Sequence, residues 1–170
     1  MEYKFTQEIS KEDYVSFVNN HMKLSFLKPV NVILFVLSIG YLTISPFLMP
    51  VAERSYTFSF VGLGILLLLI GMVIFARKNA EKQYDKSPEG FRMTYEVDEE
   101  GLAYILDEGN INKKWFDFYM AMETEKYLYI YVNKNSGMVI VKNAATIETI
   151  NFIKTKLKEH IKSKKLKLME

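Results

Sequence analysis

Two uncharged runs, Pro29 to Ala52 and Ser55 to Ala76, are separated only by Glu53 and Arg54. Nothing else in the chain restricts its fold as severely. A helix needs roughly 20 apolar residues to cross a hydrocarbon core about 30 Å thick, and both runs reach that length. Of the 22 lysines and arginines and the 20 aspartates and glutamates, all but Glu53 and Arg54 lie outside residues 29–76. A soluble domain can bury one helix that is apolar all round, but two in succession at this length point to lipid. The expectation is an α+β membrane protein: a two-helix transmembrane hairpin with spans at about 29–51 and 55–76, joined to a polar domain.

The mean hydropathy of +0.01 conceals this partition. Cysteine is absent, which removes disulfides, thiol nucleophiles and thiolate metal sites. The net charge of +2 is too small to indicate nucleic acid. Residues 1–8 mix charges ahead of the first apolar run, so no signal peptide is expected.

Three parts are expected. Residues 1–28 form an N-terminal arm, residues 29–76 the hairpin, and residues 77–170 a polar domain. In the arm, Tyr3 and Phe5 alternate with polar residues as in a short strand. Ser10-Lys-Glu-Asp13 resembles a capping box, and Tyr14, Phe17, Val18 and Met22 then share one helical face. That face suits a membrane surface or packing against the polar domain. In the hairpin, Pro29 suits a helix start, and Pro46 and Pro50 sit where a bend or stop is tolerable. Ser38 and Ser45 on the first span, and Gly64 and Gly71 on the second, share a spacing of seven and mark faces for close helix packing, within the chain or in a homodimer. Lys23 and Lys28 precede the hairpin and Arg77, Lys78 and Lys82 follow it, against Arg54 alone in the connection. Both termini are therefore expected on the cytoplasmic side of a multi-pass protein. Neither span contains an ionisable residue, which argues against a proton relay or ion path.

The charged run to Lys86 continues the second helix until Ser87-Pro-Glu-Gly90 breaks it. Short alternating segments separated by turns then predict five or six antiparallel strands. The turns are Asp98–Gly101, Asp107–Asn110, Thr124–Lys126 and Asn133–Gly137. A closing helix carries Ile147, Ile150, Ile153, Leu157 and Ile161 within a stripe about 120° wide, with Phe152 off it. A curled antiparallel sheet capped by a C-terminal helix suggests a pleckstrin-homology-like (PH-like) split barrel. If the N-terminal strand joins that sheet, the hairpin is an insertion in one folded unit.

In order along the chain come Phe5-Thr6, Glu12-Asp13-Tyr14, Phe17, His21, two spans, Gly101, Trp115, Tyr127-Leu-Tyr-Ile-Tyr131, Met138-Val-Ile-Val-Lys142 and a helix. That order resembles the YcxB-like membrane proteins of bacteria, over nearly the whole chain. Where such chains often read Ile-Pro-Lys, this one has Ile140-Val141-Lys142. The resemblance implies the bacterial inner membrane and this architecture. It supplies no reaction and no catalytic residue.

Among chemistry-bearing residues, His21 and His160 lie far apart and lack metal-ligand spacing. Asp98, Glu99, Glu100, Asp107 and Glu108 lack the alternation of a calcium loop and suit solvated turns. Trp115, Tyr127, Tyr129 and Tyr131 suit core or cross-strand pairs better than a ligand groove. No phosphate loop or nucleophile elbow is present, so neither a cofactor nor a small-molecule substrate is indicated. The basic tail is the most suggestive polar feature. Lys154, Lys158, Lys162, Lys164, Lys165 and Lys167 are candidate contacts with an anionic membrane surface; the alternative is a solvated helix face fading into a disordered end. The expected function is non-enzymatic: a cytoplasmic PH-like domain held at the lipid bilayer for a protein partner or anionic lipid, with no nucleic acid. The alternative is an accessory subunit of a transport or envelope-biosynthesis complex, bound through its hairpin.

Overall fold

Polar residues that alternate with Tyr, Phe, Val and Ile demand a two-sided strand, and the chain uses this pattern at both ends. A computed structural model describes residues 2–26, 29–51, 56–86, 91–106 and 109–169. Its elements are β1 (Tyr3–Ile9), α1 (Lys11–Phe26), α2 (Pro29–Leu48), α3 (Thr57–Tyr84), β2 (Phe91–Val97), β3 (Gly101–Leu106), β4 (Gly109–Lys114), β5 (Met120–Glu123), β6 (Tyr127–Tyr131), β7 (Gly137–Val141), α4 (Ile147–His160) and β8 (Leu166–Lys167). The fold is thus α+β, with four helices and two sheets.

By compactness the chain divides into two units. One is Met1–Phe17 with Tyr84–Glu170; the other is Val18–Gln83. The boundaries fall inside α1 and at the end of α3. Residues 18–83 are therefore an insertion within a unit made from both ends of the chain.

In the first unit, β1 joins the C-terminal strands by a seven-residue antiparallel ladder to β2, from Tyr3↔Val97 to Ile9↔Phe91. One sheet runs β1-β2-β3-β4 and the other β7-β6-β5-β8, each of four strands. A single sheet of five or six antiparallel strands is therefore corrected to two sheets. The added strand is β8, which lies parallel to β5. It is two residues long and lies within the lysine run, so its period was illegible in the sequence. The segment from Ile111 to Met122 is β4, a short 3-10 turn at Trp115–Asp117 and then β5.

Turn chemistry explains the strand breaks. Asp98 Oδ1 accepts from the amides of Glu100 and Gly101, both at 2.8 Å, and Asn133 Oδ1 accepts from those of Asn135 and Ser136. Such side chains mimic a backbone turn. Gly101 is required by close approach, since a Cβ there would collide with the Lys113 carbonyl. Asp107 and Glu108 lie outside the described residues.

The core between the sheets and α4 is built on Trp115, Tyr95, Leu102, Ile130, Ile153 and Leu157, all fully buried. Ile150, Ile153 and Leu157 are the inward stripe of α4. Ile147, expected on that stripe, is 82% exposed: it is the first residue of the helix, one turn before the packed contact. Phe152 faces β1, with its ring centroid 5.1 Å from that of Tyr3. That contact answers its departure from the stripe.

The second unit holds the two apolar runs. α3 contains the single helix, among the described residues, long and apolar enough to cross a membrane, Ser59–Tyr84; the apolar stretch of α2, Val32–Leu48, is shorter. α2 ends at Leu48 rather than near residue 51, with Pro46 in its last turn, and the Glu53-Arg54 connection lies outside the described residues. The helices touch in opposite directions. Tyr56 meets the Phe47 ring edge-on at 5.9 Å, the Ser59 hydroxyl donates to Thr43 O at 3.2 Å, and a Cβ on Gly62 would lie 3.2 Å from Thr43 Oγ1.

Candidate functional site

The basic tail grows out of α4. Thr146 caps that helix by accepting from the Thr149 amide at 3.2 Å, and Ile161, buried, ends it. A short 3-10 turn at Ser163–Lys165 then returns the chain onto the outer edge of β5. There Leu166 stands opposite Ala121 and Lys167 opposite Met122. Leu166 and Leu168 pack on the core. The tail is thus a seated strand and not a fading helix end.

Its lysines divide into two groups. Lys154 turns inward, 2.8 Å from Glu123 Oε2 and 2.8 Å from the Met169 carbonyl oxygen. It is a structural cation and is removed from the surface set. Lys165 lies over the Tyr119 ring at 3.5 Å, partly spent on a cation–π contact. Lys156 pairs with Glu99 at 2.7 Å and Glu159 at 3.3 Å. Lys158, Lys162, Lys164 and Lys167 are exposed and form no ion pair among the described residues. These four are exposed cations that α4 and the tail offer.

Glu123 is the residue the sequence reading missed. Its carboxylate is buried and accepts from Lys142 Nζ at 2.8 Å, Lys154 Nζ at 2.8 Å and the Met169 amide at 2.8 Å. Burial alone would raise its pKa; the two ammonium groups and the amide outweigh that and lower it. One acid therefore ties β5, the end of β7, α4 and the tail. The available signal was phase: Ala121 and Glu123 share the inward side of β5.

A second buried acid holds the N-terminal arm. Asp13 and Ser10 form the expected capping box, with the Asp13 amide donating to Ser10 Oγ at 3.2 Å and the Ser10 amide to Asp13 Oδ2 at 3.1 Å. The free side of the carboxylate accepts from Tyr127 Oη at 2.7 Å and pairs with Lys126 Nζ at 2.9 Å. Burial pushes its pKa up, but the Ser10 hydroxyl, Lys126 and Tyr127 prevail and hold it at about 2. The partners raise Lys126 in turn, Tyr127 first and Asp13 second. Gln7, buried on β1, donates to Val139 O at 2.7 Å and accepts from Val141 N at 2.9 Å. Its amide stands in for a neighbouring strand along the edge of β7. Tyr3, Phe5, Gln7 and Ile9 alternate, so Gln7 was a polar residue in the inward phase.

The aromatic candidates are core. Trp115, Tyr127, Tyr129 and Tyr131 are buried, Trp115 Nε1 donates to Asp98 O at 3.0 Å, and Phe17 of α1 stacks on Tyr129 and Tyr131. The face of α1 thus packs, at Phe17, on β6. His160 bonds its own helix at Lys156 O. Among the described residues no group of three His, Asp or Glu side chains could hold a metal ion. For the helix-packing candidates, an added Cβ on Gly64 or Gly71 would meet nothing within 4 Å, whereas Gly62 meets α2. Ser38 bonds Leu34 O in its own helix, and Ser45 is half-buried. The contact within the chain lies at Gly62 because that residue, not Gly64, faces Ile39–Thr43.

No protein-family model, curated protein or solved structure matches this chain.

Proposed function

We propose that this is a multi-pass membrane protein of the YcxB-like kind, sited in the bacterial inner membrane with both termini cytoplasmic. In this reading α2 and α3 form a two-helix hairpin. The first unit is a PH-like binding module whose Lys158, Lys162, Lys164 and Lys167 meet anionic lipid headgroups. It binds rather than catalyses.

The observation that carries the proposal is where exposed apolar side chains lie. Among the described residues 30 large hydrophobics are exposed, and 26 of them fall between Val30 and Phe75. Only 6% of an 18-residue apolar stretch of α3 is buried within the chain. Full burial of one such side chain is worth about 1.5–3 kcal/mol. Leaving this surface in water would cost on the order of tens of kcal/mol, several times the net stability of a domain. Lipid removes that cost. Support for the PH-like reading comes from the order of elements: a four-stranded meander, a second sheet, and a helix over the core. Support for binding comes from Asp13 and Glu123, whose carboxylates are saturated by structural partners, while Lys158, Lys162, Lys164 and Lys167 meet no carboxylate among the described residues.

The test uses the full chain in phosphatidylcholine nanodiscs, presented to vesicles with or without phosphatidylglycerol. Anionic vesicles should recruit the discs in a salt-sensitive way. Replacing Lys158, Lys162, Lys164 and Lys167 by glutamine should weaken recruitment by about tenfold or more, since each lysine contributes about 1 kcal/mol near an anionic surface. Equal recruitment of both proteins would overturn the lipid reading.

A second reading, the accessory subunit bound through its hairpin, is favoured by the open space over Gly64 and Gly71. Small residues that face no partner among the described residues suit an incoming helix. Gly64→Leu with Gly71→Leu should then break association while leaving the first unit folded; retained association would exclude it.

A further inference from the structure

Residues 162–169 carry four lysines, three apolar side chains and no acid. Their seat on β5 satisfies only half of that chemistry. Leu166 and Leu168 rest on the core, two residues pair with the strand, and the Met169 amide and carbonyl are held by Glu123 and Lys154. The side chains of Lys162, Lys164 and Lys167 remain exposed with no carboxylate partner among the described residues. An anionic bilayer surface satisfies both halves: leucines enter the boundary between headgroups and acyl chains while lysines meet phosphates. The two seats exclude each other, because Leu166 and Leu168 cannot lie on the core and in lipid at once.

We propose that residues 162–169 are a displaceable strand that leaves the edge of β5 for an anionic lipid surface, so that lipid contact uncovers that edge. This rests on the lipid-facing reading of the tail given above. The ladder is two residues long, and Glu123 and Lys154 clasp it at the Met169 backbone, so attraction at several lysines competes with a small set of contacts. Release frees the outward backbone groups of Ala121–Glu123, a position where an extended segment can pair.

The chain has no cysteine, so an introduced pair reports without background. Met122→Cys with Lys167→Cys joins register partners across β5 and β8; adjacent strands lie about 4.8 Å apart, within disulfide reach. Thr6→Cys with Thr94→Cys is the control, across β1 and β2 where the two hydroxyls are 2.9 Å apart. Both full-length variants are placed in phosphatidylcholine discs and in discs enriched in phosphatidylglycerol, and the rate of disulfide closure is measured. The expected result is a rate for 122–167 that falls about tenfold, relative to the control pair, in anionic discs, the factor set by one or two lysines at the surface. High salt should restore it. An unchanged ratio, with lysine-dependent recruitment to anionic vesicles intact, overturns the displaceable strand and leaves the lipid reading standing. An unchanged ratio with no such recruitment overturns both.

Discussion

Asp13→Asn offers a direct test of whether the N-terminal arm belongs to the C-terminal fold. The carboxylate lies 114 residues from Tyr127, whose hydroxyl it accepts at 2.7 Å. Its pKa is lowered from 3.8 to about 2, which corresponds to about 2 kcal/mol of stability at neutral pH. The asparagine keeps the size and one acceptor but loses the charge that Lys126 and Ser10 favour. Loss of the cap contact adds about 0.5–1 kcal/mol, so the expected destabilisation is about 2–3 kcal/mol. Trp115 is the sole tryptophan and is buried in the first unit. Its fluorescence in detergent-solubilised full chain therefore reports unfolding of the far end of the sequence. The sign with pH follows from the direction of the shift. Because the folded pKa lies below the unfolded one, the advantage of wild type over Asp13→Asn is complete above about pH 4 and fades as pH falls towards 2. Taking the difference between the two proteins cancels Glu123, whose lowered pKa also makes stability fall in acid. If the Trp115 transition moves by less than about 0.5 kcal/mol, typical of a neutral surface change, the arm is no part of the cooperative unit.

Gln7→Leu should cost about 2–4 kcal/mol, because Val139 O and Val141 N each lose a buried partner; hydrogen exchange at the Val141 amide should quicken, and unchanged protection would refute the bridge. Ile153→Ala should cost about 2–5 kcal/mol by cavity formation, whereas Ile147→Ser should stay within about 0.5 kcal/mol, both read by Trp115 unfolding. Gly62→Leu should separate α2 from α3, lowering the yield of a disulfide between cysteines placed at Phe47 and Tyr56, while Gly64→Leu leaves that yield intact. Glu123→Gln should destabilise by about 3–5 kcal/mol, since it leaves Lys142 and the half-buried Lys154 without a counter-charge.

Particular residues show how far local pattern reaches. Ser10-x-x-Asp13 announced a capping box and formed one, because a cap depends on four consecutive residues. Continuation of α3 past Ala76 was equally legible, since nothing before Ser87 breaks a helix. Lys154 and Lys158, one turn apart, looked alike; only the position of Glu123 on a distant strand turns one inward. Gly62 and Gly64 are neighbours in sequence, and helix rotation alone decides which of them meets α2. Ile147 satisfied the period of α4 yet lies before the packed turn, and period says nothing about where a neighbour begins.

By itself the sequence determined the partition of charge, the two apolar runs, the strand and turn alternation and the amphipathic last helix. Each of these rests on interactions among residues a few positions apart, or on the solvent a segment prefers. Tertiary structure alone decided that residues 3–9 close a sheet begun after residue 90. It also decided that Glu123, Gln7 and Asp13 anchor the first unit, and that a lysine-rich tail ends as a parallel strand. Such outcomes depend on register between distant segments. A shift of one residue there reverses which side chains face the core, and no local period records it.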